Sequence, residues 1–587
     1  MKNPYSGLTR NDIMNFIIRN IVYILILAAL PGGVICMAQE ELREEVSLHV
    51  DRNYYLAGDE IFFAVYCTEA GSGHPSRISV VANIELLNLQ GVLLERKKIL
   101  LKNGSGSGSL QIPRDLNSGE HIIRSYTSWM RNFGPGTFHY TPVLIIHPAK
   151  KYMPKIGETE IQDSIQHTGD QGSRKEAGVQ ISGLKEAYNS RDSIVFTLKA
   201  PALSEISQST ALSLSIARSS SQYPFPFQLS ESHSEKQTSI SGWNDLKIIP
   251  NMKGIQLSGT ITRPGSGEAV INRDVLLSFI DSITEIYSVK SDGGGRFHFD
   301  LNGMHGRKDM IIQVPGEDQN ILISIEPDHS MDRIPELAWV SLNSSKLAGQ
   351  YREMLLEKQL SAAYGLSQDH HGSLPQSSAQ RDHLPFYGES DHEIIMGSYV
   401  KLPVMEEVFR ELGKRIFLSR DKGKYKALIL DLETNRIIGE HPFYFIDGIP
   451  FFDSEKLLGL DPSLIKSISL KSRKYFMGDL VMDGIIDIRS NKGDAALIDF
   501  PRSAVREYFQ GFQESVLPAL VDASIYDLKT PMYKTTLLFE TLIQSGKEEN
   551  TSFKLIAPDS KGNYTLAIRG ITSEGIRIQQ DYSFEVK

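Results

Sequence analysis

Alternating apolar and polar residues dominate the first part of the chain and predict strands rather than helices. Residues 46–50 and 60–66 alternate in this way on either side of the pair Gly58-Asp59. Side chains of a strand point to opposite faces in turn, so a period of two is typical of half-buried strands, and a Gly-Asp pair favours a turn. The pattern continues to about residue 148, which predicts one β-sandwich over residues 45–148.

The layout of this opening appears a second time. Residues 188–196 repeat residues 55–63, with Arg191 in the place of Gly58. Because a repeated order of strands and turn residues indicates a repeated unit, we predict a second β-sandwich over residues 176–250. The polar stretch before it has no apolar period and is predicted to be a linker.

The N-terminal 38 residues have the pattern of a secretory signal peptide. Two arginines precede an apolar run at residues 21–30, and residues 36–38 form a small-x-small cleavage pattern. A lipoprotein signal with Cys36 as the lipidated residue is the alternative, but Ile35 stands where that signal has Gly, Ala or Ser. An uncleaved anchor is disfavoured because the run is shorter than the roughly 20 residues that span a bilayer. The chain is therefore predicted to be exported.

Composition and charge limit the classes of partner. The 587 residues are 41% hydrophobic and 23% charged, as in an ordinary globular chain with several domains. The net charge of −9 becomes −11 without the signal peptide, which carries three basic residues and one acidic residue. An acidic chain repels a phosphate backbone, so no nucleic-acid partner is expected.

One cysteine, Cys67, is left after signal cleavage, so an intrachain disulfide cannot form. It lies at the end of an apolar strand pattern, residues 61–66, and is predicted to be a buried small hydrophobe rather than a nucleophile.

Two stretches of the first sandwich resemble macroglobulin-type domains. Residues 51–63 have the Asp, Tyr and Gly-Asp spacing that opens such domains, and residues 119–134 resemble the closing segment of those carried by exported Bacteroidetes proteins. The resemblance implies β-sandwich modules in an exported multidomain protein. A thioester protease trap needs Gln three residues after Cys, whereas Ala70 stands in that place after Cys67.

Two later stretches also resemble known domains. Residues 254–327 resemble the carboxypeptidase-regulatory-like domain, with three strand patterns around a glycine-rich turn at residues 292–295. Residues 443–494 resemble the plug domain of TonB-dependent outer-membrane receptors, in which a strand ends in Ile-Asp-Gly-x-Pro and a Tyr-x-x-Gly turn precedes the closing strand. Residues 495–587 are too few for a receptor's transmembrane barrel. The resemblance implies a plug-like domain without its pore.

The chain is therefore predicted to be mainly β, with tandem Ig-like or macroglobulin-type β-sandwiches and a small α/β plug-like domain. The predicted organisation is a signal peptide (1–38), a macroglobulin-type sandwich (45–148), a second sandwich (176–250), a carboxypeptidase-regulatory-like sandwich (252–327), a helical and loop linker (331–402), the plug-like domain (403–494) and a C-terminal β unit (530–587). Helices are predicted over residues 351–364, 403–412, 457–464 and 503–521.

No catalytic residue, cofactor or metal site is predicted. His392 and Glu393 begin a zinc-helix pattern, but Met396 stands where the second imidazole is required. Four histidines close in sequence are interpreted as solvated residues of a polar loop, with adventitious metal binding as the alternative: His370, His371, His383 and His392. Residues 104–108 lack the Gly-Lys-Ser/Thr of a phosphate-binding loop and are predicted to be a turn.

Asp447, beside Gly448, has two interpretations, a catalytic carboxylate or a structural turn. The matching Asp-Gly of plug domains is a turn, and an Asp side chain there accepts hydrogen bonds from its own backbone, so a structural role is predicted. Three Asp-Ser-Ile triplets, at Asp163, Asp192 and Asp281, fit an O-glycosylation sequon known from Bacteroidetes and give a hypothesis of modification.

The leading functional prediction is a non-catalytic binding or scaffolding protein of the cell envelope. It would act in the periplasm or at the outer membrane and associate with an outer-membrane transport or assembly complex. Four binding-type modules and a search that finds no active-site motif support this prediction. The alternative is a glycan-binding surface or periplasmic protein, and a hydrolase with an unrecognised site is a third class.

Overall fold

The computed structural model divides the chain into two compact units. The first comprises residues 1–252, 330–371 and 515–587, and the second comprises residues 253–329 and 372–514. The structure describes residues 43–150, 179–199, 209–219, 228–229, 248–280, 284–316, 320–334, 337–338, 344–364, 384–421, 424–439, 442–514, 519–520, 531–545 and 550–587. The predicted signal peptide lies outside the described residues.

The first unit begins with a sandwich of two sheets. Its strands are β1 (Glu44–Val50), β2 (Tyr54–Leu56), β3 (Glu60–Glu69), β4 (Val81–Asn88), β5 (Leu93–Leu100), β6 (Ser105–Gln111), β7 (Gly119–Thr127) and β8 (His139–Ile146). One sheet has the order β1-β3-β6 and the other β2-β8-β7-β4-β5. Alternate side chains of both sheets, such as Ile61, Phe63 and Ile84, point inward and form a fully buried core.

Four strands of a second sandwich follow. They are β9 (Gln180–Ser182), β10 (Ala187–Tyr188), β11 (Ser193–Lys199) and β12 (Ser209–Arg218). β9 pairs antiparallel with β11. The short strand β13 (Gln228–Leu229) comes next.

The second unit opens with two sheets of its own. Their strands are β14 (Ile255–Thr262), β15 (Asp274–Phe279), β16 (Ile286–Lys290), β17 (Arg296–Leu301), β18 (Arg307–Gln313) and β19 (Leu322–Ile325). The predicted glycine-rich turn joins β16 to β17, with Gly295 at a φ of +72°. The carboxylate of Asp292 accepts the backbone N–H groups of Gly294 and Arg296, both at 2.8 Å. Gly295 thus supplies the backbone conformation that the turn requires.

A helix that the sequence analysis places in a linker packs on the first sandwich. After β20 (Leu337–Ala338), which pairs with β13, helix α1 extends over Ser344–Ala363. It confirms the helix predicted over residues 351–364 and begins earlier. Met354 of α1 packs into a buried cluster with residues of β2 and β8, because this side of the first sandwich would otherwise expose Tyr54 and Leu56.

The segment predicted to be plug-like contains a five-stranded mixed sheet, and residues 392–395, which were predicted to be linker, form a strand of that sheet. Its elements are β21 (His392–Ile395), α2 (Met405–Glu411), β22 (Ile416–Asp421), β23 (Lys424–Ile429), β24 (Phe443–Ile446), β25 (Ile449–Phe451), α3 (Ser454–Leu458), β26 (Ile465–Lys471), β27 (Tyr475–Met477), β28 (Leu480–Met482) and β29 (Ile485–Ser490). The sheet order is β21-β26-β29-β24-β25, and β24 is parallel to β29. The helix predicted over residues 403–412 is confirmed as α2, Met405–Glu411. The helix predicted over residues 457–464 is confirmed only in part, because α3 ends at Leu458 and a separate 3₁₀ turn spans Pro462–Leu464.

The prediction of a helix over residues 503–521 is wrong at Ala519–Leu520, which form a short strand, and at residues 505–510. The latter form strand β30 (Val505–Gln510), which pairs antiparallel with β18 and extends the sheet to β16-β15-β18-β30. Phe509 is buried against the ring of Phe279 while the neighbouring Tyr508 is exposed, as in a strand. Helix propensity is a weak preference, and pairing with the edge of β18 overrides it.

The C-terminal strands complete the second sandwich. They are β31 (Ala519–Leu520), β32 (Thr536–Ser545), β33 (Asn550–Ile556), β34 (Gly562–Thr572) and β35 (Arg577–Val586). β12 pairs with β32 on one side and with β34 on the other, and β11 pairs with β33. Phe196, Leu214 and Leu566 share one buried core. Residues 176–250 and 530–587, which the sequence analysis separates, therefore belong to the same sandwich.

The two sandwiches of the first unit have the same topology. β9–β12 take the places of β1–β4, and β32–β35 take the places of β5–β8. In each sandwich the second strand is parallel to the last, β2 to β8 and β10 to β35, while the other shared pairings are antiparallel. Residues 219–535 are therefore an insertion between the fourth and fifth strands of the second sandwich.

The sequence repeat extends to the turn between the second and third strands. Gly58 has a φ of +86° and Arg191, in the same place, has a φ of +70°. The carboxylate of Asp59 accepts the backbone N–H three residues earlier at 2.9 Å, and that of Asp192 does the same at 2.7 Å. The repeat predicted from the sequence is thus confirmed in the conformation and hydrogen bonding of this turn.

Candidate functional site

Cys67 is fully buried in the core of the first sandwich, as predicted. Burial raises the pKa of its thiol well above the usual value, and the nearby carboxylate of Glu44 raises it further. The thiolate is the reactive form of cysteine, so this environment suppresses reactivity.

Asp447 and Gly448 form the two-residue loop of the β24–β25 hairpin, with φ values of +50° and +87°. Two consecutive residues at positive φ are typical of a type I′ hairpin turn, and the predicted structural role is confirmed. The carboxylate has other partners than its own backbone, however. It accepts the N–H and hydroxyl of Ser490 at 2.7 and 2.6 Å and the N–H of Ala495 at 3.1 Å. These hydrogen bonds hold the β24–β25 hairpin against the end of β29 and the residues that follow it.

A second buried carboxylate in this sheet, Asp487 of β29, was missed by the sequence analysis. The hydroxyl groups of Thr284 and Tyr387 donate to its Oδ2 at 2.5 and 2.9 Å, and Arg489 lies 3.4 Å away. Burial raises the pKa of Asp487, and the charge of Arg489 opposes this. The available sequence signal was an acidic residue in the apolar run Ile-Ile-Asp-Ile.

The histidines give no metal centre among the residues that the structure describes. His392 lies in strand β21, and its Nε2 is 3.3 Å from the carbonyl oxygen of Leu412. His370, His371 and His383 lie outside the described residues. In the described ranges no group of three or more His, Cys, Asp or Glu side chains is arranged to hold a metal ion.

Residues 104–108 are a turn only in part. Asn103 and Gly104 have φ values of +51° and +72°, whereas Ser105 begins strand β6, which pairs with β3. Gly106 lies where a Cβ atom would be 2.7 Å from Ile99, so close packing requires glycine. Of the three Asp-Ser-Ile triplets, Asp192 lies in the turn before β11, and the other two are outside the described residues.

The hairpin of β27 and β28 carries an exposed apolar pair. Gly478, with a φ of +59°, closes the predicted Tyr-x-x-Gly turn. One face of the hairpin packs into a buried cluster through Tyr475, Met477, Leu480 and Met482. Phe476 and Val481 lie directly opposite each other on the other face and are 65% and 42% exposed. We call this pair the hairpin surface.

A second apolar surface follows the edge of the five-stranded sheet. β21 is an edge strand, and edge strands present backbone groups with which another strand can pair. Four large apolar side chains of residues 395–404 are exposed, with Val400 the most exposed at 86%: Ile395, Tyr399, Val400 and Val404. We call residues 395–404 the edge segment.

An exposed aromatic side chain lies on strand β30. Tyr508 is 64% exposed, and the guanidinium carbon of Arg307 lies 3.8 Å from the centre of its ring. On the same strand Arg506 forms a two-point ion pair with Asp309. The exposed ring of Tyr508 and the guanidinium group stacked over it form an aromatic and cationic pair, which we call the platform.

Comparison with known proteins gives structural matches alone. No family model and no curated protein matches the chain. The native conformation of Escherichia coli α2-macroglobulin matches at 9% identity, covering 93% of this chain and 40% of that chain, with a TM-score of 0.23. Salmonella α2-macroglobulin reacted with methylamine matches at 10% identity over 92% and 39% of the two chains, with a TM-score of 0.22. The chain spans about two fifths of the length of these macroglobulins.

The Yersinia pseudotuberculosis adhesin InvE matches at 10% identity over 48% of this chain and 57% of that chain, with a TM-score of 0.13. At such identities and TM-scores the matches carry no argument about activity or partners. The resemblances to a carboxypeptidase-regulatory-like domain and to a receptor plug stay predictions. The structure itself shows a mainly β chain built from several sheets, with tandem β-sandwiches, as the sequence predicts.

Proposed function

We propose that this chain is an exported, non-catalytic binding or scaffolding protein of the cell envelope, and that its plug-like segment docks onto an outer-membrane transport or assembly complex. The hairpin surface is the observation that supports this proposal best. Fully burying a large apolar side chain contributes about 1.5–3 kcal/mol. Because Phe476 and Val481 are exposed in the free chain, much of this burial free energy is not gained on folding. A partner that covers the two side chains would gain it on binding.

The hairpin surface has the properties of an interface anchor. The opposite face of the hairpin is packed, and the hydroxyl of Tyr475 donates to the carbonyl of Phe386 at 2.8 Å, so the pair is held in place before binding. A preorganised contact loses less entropy on association. Beside it the exposed Asp479 pairs with Lys290 at 3.3 Å, so a charged pair borders the apolar contact, as at the rim of an interface.

The proposed export depends on the predicted signal peptide. In the part of the chain that the structure describes, no helix has both the length and the apolar character needed to cross a bilayer. The edge strand β21 supports the docking proposal with a second contact, since a strand of a β-rich envelope protein can pair with it beside the exposed side chains of the edge segment.

Cross-linking and pull-down from intact envelopes tests the proposal. Phe476→Glu places a charge at the centre of the contact, and we expect recovery of the captured outer-membrane protein to fall about tenfold, which corresponds to roughly 1.4 kcal/mol. Val92→Glu is the matched control, because Val92 is 55% exposed in the first unit. Capture that is equally strong in both variants, or a wild-type chain that captures no envelope protein, would contradict the proposal.

A glycan-binding protein is the second candidate, and the platform of Tyr508 and Arg307 favours it. Sugar rings stack on exposed aromatic faces, and the guanidinium group offers donors to sugar hydroxyls. Tyr508→Ala is expected to abolish any signal on a glycan array, whereas Tyr399→Ala, which removes an exposed tyrosine from the edge segment, leaves it unchanged. An array without signal for the wild-type chain would eliminate this candidate.

A further inference from the structure

A cavity of about 330 Å³ lies in the first unit, where the insertion leaves and re-enters the second sandwich. Its wall is formed by the end of β12, the segment before β32, the turn before β34 and one side of α1. The side chains that matter for its chemistry are those of Arg218, Glu353, Met354, Leu356, Lys534 and Lys561. None of the functions discussed above uses this cavity.

Arg218 fixes one wall of the cavity. Its backbone N–H donates to the carbonyl of Thr535 at 2.9 Å, so the two ends of the insertion are joined there. Its guanidinium group donates to the carbonyl of Lys561 at 2.5 Å and forms an ion pair with Glu353 at 2.9 Å. The charge of Arg218 is therefore already balanced by Glu353.

Helix α1 fixes the opposite wall because the first sandwich holds it from behind. Met354 packs against Tyr54 and Leu56, and Nζ of Lys358 donates to the carbonyl of Ala57 at 2.7 Å. Leu356, on the cavity side, is 43% exposed. The helix cannot move into the cavity without losing these contacts, so the cavity is a fixed part of the unit with an apolar side.

The acidic groups of the wall are all engaged. Asp559 forms a two-point ion pair with Arg191, with distances of 2.8 and 2.5 Å. Glu357 accepts the hydroxyl of Thr535. Burial raises the pKa of Glu357, while the charges of Lys534 and Arg52 oppose this. These carboxylates thus offer little free negative charge to a ligand.

The two lysines of the wall differ from the acidic groups. Among the described residues, the side-chain amines of Lys534 and Lys561 have neither a hydrogen bond nor an ion pair. Lys534 is half-buried and its charge acts on Glu357, whereas Lys561 is exposed. Two cationic donors beside an apolar surface remain available in a concave site.

We propose that this cavity binds a small organic anion, with a carboxylate or phosphate head at Lys534 and Lys561 and an apolar body against the exposed side chain of Leu356. A volume of a few hundred cubic ångströms is usual for a small-molecule site. Each ammonium group offers three donors to anionic oxygens. A bound anion would connect α1, both ends of the insertion and the second sandwich, and would stabilise the first unit by mass action.

Calorimetric titration of the full chain with hexanoate and with hexyl phosphate tests the proposal and distinguishes the two head groups. We expect at least one probe to bind with a dissociation constant below about 10 mM, and hexanol to bind about tenfold more weakly because it lacks the charge. Lys534→Met keeps most of the aliphatic stem and should weaken binding of the anion about tenfold. Lys102→Met, at an exposed lysine of the same unit, is the control.

A second variant, Leu356→Trp, keeps both lysines and fills the apolar side, and it should also weaken binding. Unfolding of each variant in urea shows whether the first unit is intact. Absence of binding for both anions, or equal binding by Lys534→Met and Lys102→Met, overturns the proposal. The outcome is independent of the hairpin surface, so Phe476→Glu should bind the probes as the wild-type chain does.

Discussion

At the residue scale, one turn position shows two solutions to the same backbone requirement. A left-handed φ costs a residue with a Cβ atom about 1–2 kcal/mol, and Gly58 avoids this cost. Arg191 accepts the same conformation in the second sandwich and gains a two-point contact with Asp559. Asp559 in turn accepts the N–H of Met532 at 2.7 Å. The arginine thus offsets its strain by joining the turn to segments that are distant in sequence.

Replacement of Gly58 by alanine is expected to lower the free energy of unfolding of the first sandwich by about 1–2 kcal/mol. The added Cβ would lie 3.0 Å from Cγ of Arg114. Gly71→Ala is the matched control, because Gly71 has a φ of +83° and no atom within 4 Å of the new Cβ. Urea denaturation should show the smaller loss for Gly71→Ala. Equal losses would mean that the contact with Arg114 contributes nothing.

Single residues could be predicted from the sequence where their role is local. The burial of Cys67 follows from its strand pattern, and the turn at Asp447 follows from the Asp-Gly pair. The partners of Asp447 could not be predicted, because Ser490 and Ala495 lie 43 and 48 residues away along the chain. Asp487 was missed because one acidic residue in an apolar strand does not reveal which groups will surround it.

At the element scale, strands of the two sandwiches meet around a buried histidine. Nδ1 of His49, on β1, lies 2.6 Å from the hydroxyl of Ser213, and Nε2 lies 3.1 Å from that of Ser215, both on β12. The ring of Phe539 on β32 packs beside the imidazole. Burial lowers the pKa of His49 to about 3, and the positive charge of Arg569 contributes to this.

The stability of the first unit should therefore fall as the pH falls from about 6.5 towards 3. The unfolded chain binds a proton at His49 near its usual pKa, while the folded chain stays unprotonated until about pH 3. The loss amounts to about 1.4 kcal/mol per pH unit in this window. His49→Gln keeps groups that can bond to the two serines but cannot titrate. Urea unfolding at pH 7 and pH 4.5 should show a smaller loss for this variant, and identical losses would contradict the assignment.

The sequence predicts an element correctly where the spacing of its own apolar residues determines whether it is a helix or a strand. Helix α1 and the strands β1, β3 and β14 were found in this way. β30 was missed because the helix preference of its residues is weaker than the gain from pairing with the edge of β18. That edge is distant in sequence, so the local pattern does not reveal the pairing. The hydrophobic pattern of a segment indicates its preference for helix or strand. Its pairing depends on which sheet edges the rest of the fold leaves unpaired.

At the scale of the whole molecule, the second sandwich is interrupted by the insertion. The sequence predicts where this sandwich begins, because its opening repeats that of the first. It does not show where the sandwich ends, because the four strands that complete it come after residue 535. The repeated topology resolves this, since all six pairings of the first sandwich have a counterpart in the second.

A shortened variant tests the insertion directly. Replacing residues 219–534 by Asn-Gly connects Arg218 to Thr535, whose backbones are already hydrogen-bonded. A two-residue Asn-Gly turn suits such an antiparallel pair. We expect a monomeric β-rich chain with cooperative unfolding, and a lower midpoint because the loss of α1 exposes Tyr54 and Leu56. Circular dichroism and urea unfolding measure this, and an aggregated chain without a cooperative transition would contradict the insertion.

The interruption also separates β12 in sequence from both strands with which it pairs. β9–β12 emerge early, yet β12 must keep both edges open until β32 and β34 arrive, and long-range pairing of this kind is slow. An open central strand can pair with the same strand of another copy. A chain that lacks β32–β35 would therefore expose both edges of β12 to pairing with another copy. Pairing of β12 with β32 and β34 prevents this association.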